Sequence, residues 1–392
     1  MTALLSPVDE AALAALVADA AVEKTPLAIV GGGTRVGLGR PMQTAATLST
    51  ARLTGVTLYE PSELVLSVRA GTPLSEIEEL LSSKSQRLAF EPFDHRSVYG
   101  ASGESTIGAI AAANVSGSRR IQAGAARDSL IGIRAVNGSG EIVKSGGRVM
   151  KNVTGYDLVK FLAGSYGTLA VLSEVTFKVL PMPETETTLA FGGLSDDRAV
   201  SLLSAALGSP YAVTGGAHIP GETARTLVRL EGFAASVVER GQQLTRLLSA
   251  FGSPEILDRV QSVSLWHSIG NLDALGASHD APIWRVSVRP GDGPKIAEAI
   301  RRAFPARFLY DWGGGLVWVA GGEGPDAGAS VVRAAVRNVG GHATLVRAPE
   351  NVRLTVDVFE PLATPIMELT RNLKAAFDPA GILNPGRMYP GI

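Results

Sequence analysis

Residues 28–41, AIVGGGTRVGLGRP, carry five glycines directly after a short apolar run. A strand that runs into Gly31, Gly32 and Gly33 has to deliver a loop of bare backbone, and few partners require one. Three phosphate-holding loops begin in this way. A Walker loop needs Gly-Lys-Ser/Thr and a helix behind it, and neither is present. The dinucleotide fingerprint needs Gly-x-Gly-x-x-Gly opening at once into a helix. Here Arg40 and Pro41 follow, and MQTAATLST has strand or loop character. There remains a loop whose own successive amides form an anion nest, and beside it the plainer reading of a tight turn between strands. A second small-residue stretch, GASGESTIGAIAAANVSGS, comes about seventy residues later. It reads either as a side-chain-free platform for a flat or extended ligand or as a close-packed helix.

The rest of the chain sets these stretches in a mixed α and β context. LAIVG is an apolar run, GVTLYEP and LVLSVRAG alternate, and TPLSEIEELLSSKS has helical spacing behind a Thr72–Pro73 start. The opening segment predicts an amphipathic helix with Ser6 as N-cap and Pro7 in its first turn. SLIGIRAVNGSGEIVKSGG predicts two strands about an Asn137–Gly138 turn, and GYDLVKFLAGSYGTLAVLSEVTFKVLP a helical turn, a bend and a long strand. Pro181 and Pro183 then place a boundary near 184, giving a first domain over 1–184. Residues 185–350 read as βαββαβ written twice, two ferredoxin-like units forming an antiparallel sheet backed by helices. Residues 351–392 supply a helix and a tail, FDPAGILNPGRM, regular enough to dock on the first domain rather than fray. The fold class is α+β.

Composition removes several functions. With 36 Lys and Arg against 37 Asp and Glu, the net charge of −1 provides no basic stripe for nucleic acid. The absence of cysteine excludes disulfides, thiolate zinc sites, cysteine nucleophiles and iron–sulfur ligation by this chain. No window approaches the ~18 uncharged apolar residues of a membrane span. A cytoplasmic location is expected, with any membrane association running through partners.

Five ordered motifs carry a resemblance: IVGGGTRVGLG, TIGAIAAANVSG, AGAARDSLIGIRAVNGSGEIVKSGG, KNVTGYDLVKFLAGSYGTLAVLSEVTFKVLP and FDPAGILNPGRM. Together they resemble the FAD-binding domain of the vanillyl-alcohol-oxidase and p-cresol-methylhydroxylase type, and most of all the family of FAD-binding subunits of bacterial glycolate oxidase. The resemblance implies a two-part FAD-binding domain with a substrate or cap domain after it. It also implies that Gly31, Gly32, Gly33, Thr34, Arg35 and Gly37 lie at the FAD pyrophosphate, Arg35 standing where many relatives have a small residue. Ser102, Gly103, Thr106, Ile107, Gly108, Ala112, Asn114 and Gly117 would line the cofactor from phosphates to flavin ring. Asp128, Ile142 and Val143 would lie near the adenine half, and Asn384 would reach back toward the flavin. Relatives with histidyl attachment carry His beside the first glycines; here Thr34 and Arg35 stand there, so non-covalent FAD is expected. His95, the one histidine near a cofactor motif, is expected to be solvated or to cap a turn.

For a small 2-hydroxy acid, an Arg fork and a nearby base are the groups to seek. Arg285 and Arg289 in PIWRVSVRP have even spacing, which places them on one strand face, as ligand arms or as a solvent-facing pair. Arg285 and Tyr156 are the catalytic candidates; Tyr156 and Trp312 would enclose a flavin face or pack in a core. His218, His267, His279 and His342 are scattered, so no metal site is expected. The resemblance implies glycolate oxidation to glyoxylate within a complex that includes a second FAD-containing subunit and an iron–sulfur subunit. The alternative is a self-sufficient FAD-dependent dehydrogenase of a D-2-hydroxy acid or alcohol.

Overall fold

The computed structural model describes residues 3–147 and 156–392. The first sheet is parallel, with strand Ala46–Ser49 between Ala3–Leu5 and Leu27–Val30. Its helix, Glu10–Glu23, begins at Asp9, whose carboxylate accepts the Ala12 N–H at 2.8 Å. The expected start at Ser6 and Pro7 is thereby corrected. Strand Ala3–Leu5 extends the chain up to those residues, and Asp9 both caps the helix and complements its dipole. Leu13 and Val17 on this helix close a core with Leu27, Leu48, Val136, Val171 and Leu383.

The tail completes this sheet. Leu383 bridges Leu27 in parallel, the Leu27 N–H donates to the Ile382 carbonyl at 2.7 Å and the Asn384 N–H to the Leu27 carbonyl at 3.0 Å. The helix before it, Thr364–Phe377, is anchored by the buried Lys374 ammonium, which donates to the Thr168 and Leu383 carbonyls and to the Asp378 carboxylate, each at 2.7 Å. The regular tail motif docks because its apolar residues and its polar atoms both have partners.

The second sheet is antiparallel and runs Val56–Glu60, Val65–Arg69, Ala170–Pro181, Leu130–Asn137, Ile142–Gly146, with Gln86–Leu88 also paired to Ala170–Pro181. Helix Ile107–Ala113 lies against its central strands, where Ile107, Ile110 and Ala111 join the core of Leu66, Val68, Leu172 and Val175. Close packing here depends on Gly108: a Cβ at that position would lie 2.6 Å from the Cβ of Ala70.

The third sheet has eight antiparallel strands in the order Glu255–Leu257, Thr185–Gly192, Arg225–Gly232, Gly215–Ile219, Ala306–Asp311, Leu316–Gly321, Ile283–Ser287 and His342–Arg347. Alternation decides its faces. Trp284, Val286, Tyr310, Val317 and Leu345 pack with Ile296, Ile300, Val332 and Val336 of helices Gly293–Ala303 and Ala329–Val339. Ile283, Leu309, Leu316 and Trp318 turn the other way and meet Val98 and Tyr99. The same boundary holds a buried ion network. Arg229 donates to Glu91 at 2.7 Å, Arg119 to Glu231 at 2.8 Å, and Arg87 also pairs with Glu231. Burial pushes the Glu231 carboxyl up, but Arg229 and Arg119 outweigh it and hold the group well below the usual carboxylate range. Among the described residues no helix is long and apolar enough to cross a membrane.

Candidate functional site

Strand Leu27–Val30 ends in the triple glycine, and the two glycine-rich stretches meet directly there. A Cβ at Gly31 would fall 2.1 Å from Thr106 Oγ1, one at Gly32 would fall 1.8 Å from the Glu104 carbonyl oxygen, and one at Gly103 would fall 1.8 Å from the Gly32 carbonyl oxygen. Bare backbone is therefore needed for backbone to lie on backbone. The crevice behind this contact encloses about 80 Å³ and is lined by Gly31, Thr34, Ala109, Ala112, Tyr166 and Arg387 among others.

Arg35 ties the loops together from within. Its guanidinium, 6% exposed, donates to Ser105 Oγ and to the Phe93 carbonyl, each at 2.9 Å. Arg387 from the tail donates to the Arg35 carbonyl at 3.1 Å. Around this point four buried polar atoms have no partner among the described residues: Arg35 Nε, His95 Nε2, Tyr99 Oη and Thr106 Oγ1. Such atoms are costly unless something outside the chain satisfies them. His95 is packed against Phe93, Tyr99 and Trp318, so the expectation of a solvated or capping histidine is corrected. Burial first, and then the charge of Arg35, push its imidazole down to about 3 and keep it neutral.

On the sheet facing this point, Arg285 is the charged position in a row otherwise made by Ile283, Leu316 and Trp318, its direct cross-strand neighbour being Trp318. Burial lowers its guanidinium to about 10, against the opposing influence of Tyr166. His95 and Arg285 both adjoin Trp318, the first with ring centroids 6.4 Å apart and the second as its cross-strand neighbour. Arg289 does not join them. The strand ends at Ser287, and Arg289 turns outward to bond Asp292 at 2.8 Å, which corrects the expected shared face. Tyr156 is 90% exposed and stands apart.

The other candidates are distributed along the two loops and their flanks. Gly33 and Thr34 follow the contact, and a Cβ at Gly37 would meet the Tyr99 ring at 2.8 Å. Ser102 is exposed beside Gly103; Ile107 and Ala112 belong to the small-residue helix. Asn114 ends that helix and accepts the Arg127 N–H at 2.9 Å; Asp128 accepts the Ala125 N–H at 2.8 Å. The Gly117 N–H donates to the Phe90 carbonyl at 2.8 Å, and its own carbonyl accepts the Trp312 indole N–H at 3.0 Å. Ile142 and Val143 lie on the outermost strand of the second sheet. Residues 148–155, which include the first five residues of the KNVTGYD motif, lie outside the described residues. Asn384 reaches the loop, but both ends of its amide are engaged by backbone, at Ile29 N and Tyr166 O. Tyr99, Tyr166 and Arg387 are the residues that sequence reasoning missed. The signals available were EPFDHRSVYG for Tyr99, GSYGT for Tyr166 and NPGRM for Arg387.

Residues 1–146 match the family described as FAD binding domain, and residues 363–388 match the FAD linked oxidases, C-terminal domain. Over 367 residues, covering 94% of this chain and 93% of the relative, the sequence is 35% identical to glycolate oxidase subunit GlcE of Escherichia coli (strain K12). The chain belongs to the GlcE family. A D-lactate dehydrogenase of Archaeoglobus fulgidus is 28% identical over 188 residues, covering 48% of this chain and 40% of its own length. Among solved structures, an alkyldihydroxyacetonephosphate synthase superposes with a TM-score of 0.71 at 17% identity, covering 97% of this chain and 76% of its own, which shows the fold.

A GlcE-family chain is an FAD-dependent oxidoreductase component, and the residues present here fit non-covalent FAD. Two backbone loops offer amides without side chains in the way, and the unpartnered Thr106 hydroxyl and Arg35 Nε stand at their junction.

Proposed function

We propose that this chain is the FAD-carrying subunit of a complex that oxidises glycolate to glyoxylate, working with a second FAD-containing subunit and an iron–sulfur subunit. The observation that carries the reading is the end-to-end similarity to GlcE, supported by the two glycine loops meeting at unpartnered donors. The chain has no cysteine, so the cluster belongs to another subunit. A cytoplasmic location, with membrane association through partners, goes with this reading.

In it, residues 1–184 form the FAD-binding domain, 185–350 the cap, built as two ferredoxin-like units, and 351–392 the returning helix and tail. Gly31, Gly32, Gly33, Thr34 and Gly37 hold the pyrophosphate with Ser102, Gly103, Thr106 and Gly108, while Arg35 braces the loops. Ile107, Ala112, Asn114 and Gly117 line the passage toward the ring, with Asp128, Ile142 and Val143 on the adenine side. FAD, when bound, supplies a hydride acceptor. Arg285 is the arm for a substrate carboxylate, and the neutral His95 stands where a hydroxyl proton could be accepted.

The placement of Arg285 and His95 on either side of the Trp318 neighbourhood is also the observation that favours the second reading, a self-sufficient dehydrogenase of a D-2-hydroxy acid. Anaerobic mixing of the purified holo-chain with glycolate or D-lactate separates the two. Slow or absent flavin bleaching, restored when the chain is purified with its partners from the native cell, is the expected result. Rapid bleaching by the isolated chain, lost in Arg285→Lys, would overturn the subunit reading.

A further inference from the structure

Trp312 begins the turn after strand Ala306–Asp311, and its indole is flanked by two guanidiniums from distant parts of the chain. The Arg120 Cζ lies 4.4 Å and the Arg285 Cζ 5.0 Å from the ring centroid. The indole is fixed from several sides. Its N–H donates to the Gly117 carbonyl at 3.0 Å, and its backbone N–H donates to Asp311 Oδ1 at 2.7 Å. The other oxygen of Asp311 accepts Ser118 Oγ at 2.7 Å. Trp312 itself sits at φ +52, a left-handed conformation that a bulky side chain adopts only when its surroundings impose it.

The arginines around this indole differ from the others at the same boundary. Arg87, Arg119 and Arg229 each bond a glutamate, while Arg35 and Arg387 bond backbone carbonyls. Among the described residues neither Arg120 nor Arg285 has a hydrogen-bond acceptor or an ion-pair partner; the ring face is what they share. Both are half-buried, and burial is the first cause that lowers each guanidinium, opposed by Asp128 at Arg120 and by Tyr166 and Asp311 at Arg285 without a bond to any of them. A cation–π contact offsets only part of the cost of keeping such charges together out of water. What the arrangement lacks is an anion with more than one acceptor group.

We propose that Arg120 and Arg285, held about the Trp312 indole, form a two-cation clamp for a small dicarboxylate, Arg285 taking one carboxylate and Arg120 the other. The clamp rests on the reading of Arg285 as the carboxylate arm and adds Arg120 as the residue that sets preference between ligands. Monocarboxylates then bind through Arg285 alone. Dicarboxylates short enough to touch both guanidiniums bind more tightly and act as inhibitors or as alternative ligands of the same site.

Calorimetric titration of the holo-protein with malonate and with acetate tests this, with tryptophan fluorescence as a second readout that needs no turnover. Malonate is expected to bind at least tenfold more tightly than acetate. Arg120→Gln should bring malonate to the acetate level and leave acetate unchanged, and Arg285→Gln should weaken both. Arg120→Lys and Arg285→Lys, which keep the charge, provide the same comparison if a Gln variant misfolds. Equal binding of malonate and acetate, or an Arg120→Gln variant that still prefers malonate, overturns the clamp. If Arg285→Gln abolishes acetate binding while Arg120→Gln changes nothing, the clamp fails and the carboxylate arm stands. Acetate binding that survives in Arg285→Gln removes the arm itself and the clamp with it.

Discussion

The carboxamide oxygen of Asn384 accepts the Ile29 N–H at 2.7 Å, while its amide nitrogen donates to the Tyr166 carbonyl at 2.7 Å. One fully buried side chain thus joins the tail, the strand that leads into the glycine loop, and the GSYGT turn. Its backbone lies at φ 42, a conformation asparagine tolerates better than most residues.

Asn384→Leu is therefore expected to strand two buried backbone groups and lower stability by about 2–4 kcal/mol. Urea unfolding of the apo-protein measures this. FAD affinity should fall as well, because Ile29 lies two residues before Gly31 in the strand that leads into the loop. An unchanged midpoint would mean that the tail is held by its apolar residues alone.

Gly32→Val and Gly108→Val should both lose FAD, for a steric reason internal to the protein. The added Cβ atoms fall 1.8 Å from the Glu104 carbonyl oxygen and 2.6 Å from the Ala70 Cβ. Gly241 lies inside helix Ala234–Leu247 with Leu230 as its nearest neighbour at 3.9 Å, so Gly241→Ala should keep FAD and gain about 0.5–1 kcal/mol. Flavin absorbance after gel filtration, with a melting curve, reads both effects.

His95 should make the fold sensitive to acid. Its pKa is lowered from 6.5 to about 3 on folding, so the unfolded chain binds the proton more readily between those values. The stability it contributes is complete above about 6.5 and is lost as the pH falls toward about 3. His95→Phe should flatten that part of the pH–stability curve, with an upper bound of about 5 kcal/mol. Parallel curves for the two proteins would show that the imidazole is already hydrated.

Glu231 accepts hydrogen bonds from both Arg87 and Arg119 while nearly buried. Glu231→Gln should cost about 3–5 kcal/mol, because it leaves guanidinium charge uncompensated at the boundary between the sheets. The exposed Arg225–Glu255 pair, with side chains 38% and 63% exposed, is the control. Glu255→Gln should cost less than about 1 kcal/mol in the same denaturation series.

Much of this architecture is legible in the sequence, since periodicity and glycine reflect local constraints. The alternation in PIWRVSVRP correctly faces Arg285 away from Trp284 and Val286, and the tail motif announces its docking through Ile382 and Leu383. What is not legible depends on contacts between remote segments. Nothing around His95 in EPFDHRSVYG reveals that Trp318, more than two hundred residues later, will cover it and keep it neutral. Nor does even spacing reveal that the strand stops at Ser287, leaving Arg289 to a local carboxylate. The encounter of Gly32 with Glu104 is likewise a tertiary event: the sequence shows two bare loops, and only the fold shows that they are each other's surface.

The parallel bridge between Leu27 and Leu383 has a consequence for biosynthesis. A chain emerging from the ribosome presents strand Leu27–Val30 more than three hundred residues before residues 382–384, which alone cover one of its two edges. The glycine loop that this strand leads into therefore gains its full support only once that distant segment has been made and has folded back onto it.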